Sequence, residues 1–143
     1  RSEFRAGFTY SRSEYDSLQE IFESVFIKKF LRTPDFYGHS RVSFDATDYI
    51  NVFGSGIYTG IMYVPNEASQ QIIRTTQTFL ELDLGLTWEV SFYENFNSRI
   101  SLGIKNISDS YQKDLQSGRE RDTAYVYGPQ LPRRFYAGFD FSF

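Results

Sequence analysis

Between Phe79 and Phe92 the chain reads FLELDLGLTWEVSF, and every second residue is apolar. Leu80, Leu82, Leu84, Leu86, Trp88, Val90 and Phe92 fall on one side of an extended strand. Glu81, Asp83, Gly85, Thr87, Glu89 and Ser91 fall on the other. Successive strand side chains point to opposite faces of a sheet, whereas a helix would scatter these leucines around its circumference. The stretch is therefore a strand, and at roughly 3.3 Å per residue its apolar face runs for about 40 Å. A face that long has to be covered, by another protein layer or by lipid.

The same alternation recurs along the chain. EFRAGFTY groups Phe4, Ala6, Phe8 and Tyr10, and SRVSF groups Val42 with Phe44. RISLGIKNI sets Ile100, Leu102 and Ile104 against Arg99, Ser101, Gly103 and Lys105. AGFDFSF sets Phe139, Phe141 and Phe143 against Gly138, Asp140 and Ser142. Six strands are predicted, over 2–12, 38–45, 49–62, 76–93, 97–108 and 132–143, with the glycines of 49–62 leaving its facing open. The turns at 45–48 (DATD) and 93–98 (YENFNS) are short, while the connections 13–37, 63–75 and 109–131 are long. Within the first of these, Leu18, Ile21, Phe22, Val25 and Phe26 have helical spacing. An amphipathic helix and an irregular strand extension both fit it.

Composition excludes several kinds of chemistry. The chain has no cysteine, hence no disulfide and no thiolate metal site. Its net charge of −3 is mixed in sign along the sequence, which leaves no basic stripe for nucleic acid. His39 is the single histidine, too few for a His-based catalytic pair or a zinc cluster within this chain. It reads as a polar residue at the outer end of a strand rather than a haem or metal ligand. Glu81, Asp83 and Glu89 stand in line along one strand, which suits a wall lining better than a general acid–base pair. The chain is expected to be no enzyme and to hold neither cofactor nor metal. The uncharged stretch from Tyr49 to Asn66 is broken by Gly54, Gly56 and Gly60, so it is no membrane helix.

Short turns at one end and long loops at the other are the asymmetry of an outer-membrane β-barrel. In such a barrel Leu80, Leu82, Leu84, Leu86, Val90, Phe139 and Phe141 face lipid. Glu81, Asp83, Glu89, Arg99 and Lys105 then line a wet lumen, and Tyr58, Tyr63, Trp88 and Tyr93 are candidates for the aromatic girdles. The ending, Gly138-Phe139-Asp140-Phe141-Ser142-Phe143, resembles the insertion signal of outer-membrane barrels, with Gly138, Phe141 and Phe143 as its marked positions. RSEFRAGFTY opens in mid-strand, which leads to the expectation that the wall begins elsewhere.

Longer motifs carry a more specific likeness. LGIKNISDSYQKD (102–114) resembles the penultimate strand and exit turn of TonB-dependent outer-membrane receptors. GRERDTAYVYGPQLPRRFYAGFDFSF (118–143), with its YGP followed by PR, resembles the last loop and strand of such receptors from Bacteroidota. FLRTPDFYG (30–38) and GIYTGIMYVPNE (56–67) are similar to the same family, so the likeness covers nearly all of 30–143. It implies an all-β, antiparallel transmembrane barrel of about 22 strands around a plug. Residues 1–143 would supply the last six of those strands, and the plug would lie outside them.

The implied activity is TonB-dependent import of a scarce nutrient across the outer membrane of a Gram-negative bacterium. YGPQLPRR is unlike the glycan-importing branch, which favours an iron–siderophore, cobalamin or haem cargo. The implied partners are the N-terminal part of the same receptor, TonB acting through that part, outer-membrane lipid and a surface lipoprotein. Cargo contacts would lie on the long loops, with Tyr63, Tyr111, Asp114, Arg119, Arg121, Asp122, Tyr125 and Tyr127 as candidates. Aromatic faces and guanidinium forks suit a bulky, partly charged molecule. A soluble β-sandwich binding or adhesion module is the competing expectation, and it differs in needing no detergent.

Overall fold

The computed structural model describes residues 1–67, 71–93, 96–119 and 121–142, with only the backbone described at 91–93, 96–97 and 142. Phe143 of the expected insertion signal, the side chain of Tyr93 and the centre of the 93–98 turn lie outside what is described. Ten strands follow one another: β1 (Ser2–Tyr10), β2 (Glu14–Phe22), β3 (Val25–Lys29), β4 (Phe36–Asp45), β5 (Ile50–Thr59), β6 (Tyr63–Asn66), β7 (Ile72–Thr75), β8 (Phe79–Tyr93), β9 (Phe96–Lys105) and β10 (Arg134–Ser142). No helix occurs among the described residues.

Six of the strands form one antiparallel sheet in the order β1-β4-β5-β8-β9-β10. These are the six that the alternation predicts, each neighbour pair joined by the next connection along the chain. The sheet is open: it does not close into a barrel, and β1 and β10 are its two edges. The helical spacing in 18–26 is overruled, because β2 and β3 pair as a hairpin of their own with shifts in register. Ser24 takes a positive φ of 63° in its turn. β6 and β7 pair as a second small hairpin, which the alternation did not reveal.

Register decides the facing, because residues directly opposite share a face. One row runs Phe4, Val42, Gly54, Leu84, Ile104 and Phe135 across all six strands. The next runs Phe44, Val52, Leu86, Leu102 and Ala137. The ambiguous strand β5 thus puts Val52, Gly54, Gly56 and Tyr58 on the apolar face, and Asn51, Phe53, Ser55 and Ile57 on the other. All the residues expected to face lipid lie on the apolar side. Glu81, Asp83, Glu89, Arg99 and Lys105 share the opposite side.

On the apolar face the ring-bearing residues gather towards the strand ends. β10 reads Phe135, Ala137, Phe139, Phe141, and β1 reads Phe4, Ala6, Phe8, Tyr10. Phe36 and Phe44 bracket Gly38, Ser40 and Val42 on β4, and leucines fill the middle of β8. Phe8, Phe36 and Tyr58 cluster at the long-loop end, with ring centroids 6.1 and 5.6 Å apart. Among the described residues, no layer covers this face. Phe8 and Phe135 remain 71% and 77% exposed, and Leu84 and Leu102 in the middle 48% and 47%. The uncovered apolar side chains amount to on the order of 1,000 Å², against the roughly 300–600 Å² of the largest patch on an ordinary monomer.

The strand ends are staggered. Ile50, the first residue of β5, stands opposite Trp88, yet β8 runs on to Tyr93. At the other end Ile104 stands opposite Leu84, yet β8 begins back at Phe79. Both ends of the sheet step the same way, so the strands tilt relative to any plane through their turns. Barrel walls are built with that tilt and shear. The polar face adds rings over glycines: Tyr136 lies across Gly103 and Gly85, and Phe53 also covers Gly85. Arg41 sits 5.2 Å from the Phe53 ring and Lys105 5.8 Å from that of Tyr136.

Candidate functional site

All three long connections leave the same end of the sheet, and the buried apolar side chains among the described residues lie there. They are Met62 and Val64 of the second connection, Tyr125 of the third and Phe79 at the head of β8, with Val64 and Phe79 each 1% exposed. Buried polar groups surround them, and no buried side-chain nitrogen or oxygen among the described residues lacks a hydrogen-bond partner.

The motif around KNISDS is a turn that locks β9 to β8. Asn106 has a positive φ of 52°, which an asparagine tolerates, and its N–H donates to Asp83 Oδ1 at 2.8 Å. Its side-chain amide donates to the carbonyls of Ser110 and Leu131 at 3.2 and 3.0 Å, and its Oδ1 accepts from Ser110 N–H at 3.0 Å. Ile107 N–H donates to Leu82 O at 2.7 Å, extending the ladder into the turn. The Ser108 hydroxyl donates to Leu80 O. Arg133 grips Ile107 O with two nitrogens, at 3.0 and 2.6 Å, and its N–H reaches Asp109 Oδ1 at 2.9 Å. Both ends of the 106–133 connection are thereby clamped together.

The YGP stretch is explained the same way. Gly128 lies on the ring of Phe79 so closely that an added Cβ would sit 2.7 Å from Cε2. Pro129 O accepts from Gln112 N–H at 2.7 Å. Gln112, itself buried, donates to Tyr125 O at 3.1 Å and accepts from Tyr127 N–H at 3.0 Å. The Asp114 carboxylate accepts from Tyr125 Oη at 2.9 Å and Tyr127 Oη at 2.6 Å. Burial works against this carboxylate, but the hydrogen bonds from Tyr127, Tyr125 and Gln112 outweigh it and hold Asp114 below its ordinary range. Burial, and next the hydrogen bond to Asp114, push both phenols above theirs.

Two further contacts tie the connections to one another. The Arg32 guanidinium donates to Ala124 O at 2.6 Å and Val126 O at 3.1 Å, while its backbone N–H donates to Tyr63 O at 2.8 Å. The buried Asp122 carboxylate accepts Ala124 N–H at 2.9 Å and, from the β6–β7 hairpin, Glu67 N–H at 2.8 Å. Beside the 127–131 stretch a cavity of about 610 Å³ opens on the polar side of the sheet. Thr59, Phe79, Glu81, Tyr127, Leu131 and Arg134 are among its walls.

The cargo candidates thus divide into two groups. Asp122 and Tyr125 are buried and their polar atoms engaged within the loops, so they act as struts and offer no free face. Asp114 is exposed but occupied by the two phenols. Tyr63 is half-buried with Lys29 Nζ 5.9 Å from its ring, and Tyr111 lies beneath Lys113 at 5.6 Å. Arg119 and Arg121 are exposed and make no ion pair among the described residues. Tyr127 reaches the cavity. On the wall, Glu89 pairs with Arg99 at 2.8 Å, and Asp83 is spent on the Asn106 turn. His39 packs its ring against Gly7. No three His, Asp or Glu side chains converge as metal ligands among the described residues.

Arg32, Asn106 and Gln112 hold the site together, and the candidate list omits all three. Only Asn106 carries a local signal, since an asparagine before Ser and Asp residues marks a turn. No protein-family model, curated protein or solved structure matches this chain.

Proposed function

We propose that this chain is a segment of barrel wall and surface loops from a TonB-dependent outer-membrane receptor, importing an iron–siderophore, cobalamin or haem-class nutrient. The observation that carries the reading is the apolar face: it spans all six strands, ends in rings, and has nothing among the described residues to cover it. Lipid is the cover that suits aromatic ends flanking an aliphatic middle, because Tyr and Trp settle where one end of the ring meets water. The shared tilt of the strand ends and the concentration of long loops at one end support the same reading. The remaining strands and the plug belong to the rest of the receptor, which closes the sheet at β1 and β10. TonB acts through the plug, so the part seen here supplies the passage wall and the cargo-facing loops. Glu81, Arg134 and Tyr127 at the cavity, together with the exposed Arg119 and Arg121 of the last long loop, form the polar surface such a cargo meets.

A second reading, half of a soluble β-sandwich, is favoured by the open sheet itself. It requires another sheet across the leucines of β8. Brominated lipid decides between the two. The protein in vesicles should lose the part of its fluorescence that Trp88→Phe removes, because Trp88 lies on the apolar face. If that part is unquenched and the protein stays monodisperse without detergent, the membrane reading fails. Denaturing mass spectrometry of the detergent-purified protein should then release a second polypeptide or a longer chain bearing the plug. Uptake of labelled cobalamin, haem and ferric siderophores by cells lacking the protein, compared with cells lacking TonB, identifies the cargo.

A further inference from the structure

We propose that the segments 30–35, 62–67 and 106–133 form one cooperative unit, which opens as a body beside the polar-side cavity and not loop by loop. The inference does not rest on the membrane reading, because every contact it uses lies within the chain.

Three observations carry it. First, the buried apolar side chains come from more than one segment: Met62 and Val64 from one connection, Tyr125 from another, and Phe79 from the head of β8. Second, side chains cross-link the segments through backbone groups. Arg32 holds the carbonyls of Ala124 and Val126 and Asp122 holds Glu67 N–H, while within 112–128 Gln112 bonds the Tyr125 carbonyl and Asp114 the phenols of Tyr125 and Tyr127. Backbone groups held in this way lose their partners the moment one segment leaves, which opposes partial opening. Third, Lys29 at the end of the β2–β3 hairpin pairs with Asp35 and stands 5.9 Å from the Tyr63 ring, which joins the first two segments to each other as well. The β8–β9 ladder, which belongs to the sheet, serves as the internal comparison.

The unit forms one wall of an open cleft. Gly128 and Tyr127 rest on Phe79, and the cleft with Glu81 and Arg134 lies beside them. Withdrawing 127–131 removes that wall and widens the cleft.

Hydrogen exchange on the assembled protein tests the idea. Arg32→Ala removes the guanidinium but leaves the backbone bond from residue 32 to Tyr63. If the segments are one unit, amides in 122–128 and in 62–67 should both exchange about tenfold faster, by the same factor. The β8–β9 ladder should be unchanged. Faster exchange confined to 122–128 would overturn the proposal, because the segments would then open separately. Tyr127→Phe is the second variant: it deletes one hydroxyl and keeps the ring on Phe79, so it stays folded if Arg32→Ala does not. It too must speed 62–67, which lies in another connection, and failure to do so is equally fatal.

Discussion

Replacing Gly103 with alanine puts a methyl group where the sheet has no room for one. An added Cβ would lie 2.6 Å from Leu84 O and 2.6 Å from both Cε1 and Cζ of Tyr136. The first of these is ladder backbone and yields only if β8 shifts. The Tyr136 ring could swing, but it lies across Gly85 as well, with Lys105 Nζ over it at 5.8 Å. Overpacking of this kind costs about 1–3 kcal/mol. Part of that cost is offset, because removing a glycine from a strand returns roughly 0.5–1 kcal/mol. Gly138 supplies the control. Its Cβ would meet nothing nearer than Ser101 Cβ at 3.8 Å, an ordinary contact. The entropic gain is common to both alanines, so their difference isolates the clash, and Gly103→Ala should be less stable than Gly138→Ala by about 1–3 kcal/mol. Urea unfolding of the assembled protein in detergent, read by loss of its compact band on an unheated SDS gel, measures it. The double variant Gly103→Ala/Tyr136→Ala should recover only part of the loss, because the carbonyl remains. If the two single alanines unfold at the same urea concentration, the close packing of β8, β9 and β10 is not what holds this wall.

Leu84→Arg, in the middle of the apolar face, should cost about 2–4 kcal/mol if that face meets lipid, and Phe141→Arg near the strand end about 0–1 kcal/mol, as folded yield in vesicles would report. Gly128→Ala should displace the Phe79 ring and destabilise the loop core by about 1–3 kcal/mol without loosening β9–β10, which hydrogen exchange can separate. The depressed Asp114 carboxylate stabilises the loops fully above its ordinary titration range. That contribution should disappear as the pH falls through its lowered value, seen as faster exchange at 122–128. Tyr125 and Tyr127 have the opposite sign: their stabilisation is complete below the ordinary phenol value and is lost as the pH rises through their raised ones. Ultraviolet titration should therefore show two late-ionising tyrosines, which Asp114→Ala returns towards the ordinary range.

Much of the wall was legible in the sequence because alternation is a property of neighbouring residues. FLELDLGLTWEVSF needs no partner to declare itself a strand, but the facing of β5 was settled only by its register with β8, which sets Val52 opposite Leu86. The hairpins were harder for the same reason. Ile21, Phe22 and Val25 carry helical spacing only because the β2–β3 turn interrupts the alternation at Ser24. The loop core was the least legible. Arg32 and Ala124 meet across a separation that no local pattern marks, and the burial of Gln112 depends on where Phe79 and Tyr125 come to rest. Asp122 and Tyr125 look like ligand-binding residues in sequence, and the structure has them buried and hydrogen-bonded within the loops. The motifs that carry the family likeness, KNISDS and YGP, turn out to be turn and packing devices. A likeness in architecture is therefore what they transmit best, and cargo is what they transmit least.

The open edges impose an arithmetic on whatever completes the structure. Six antiparallel strands leave β1 and β10 running in opposite directions, with the long loops at one end throughout. A ring whose neighbours are all antiparallel can be closed from these edges only by an even number of additional strands, or directly by none. An odd complement would force one parallel seam, with a loop end beside a turn end. If such a ring forms, the parity of its other strands is set by these six.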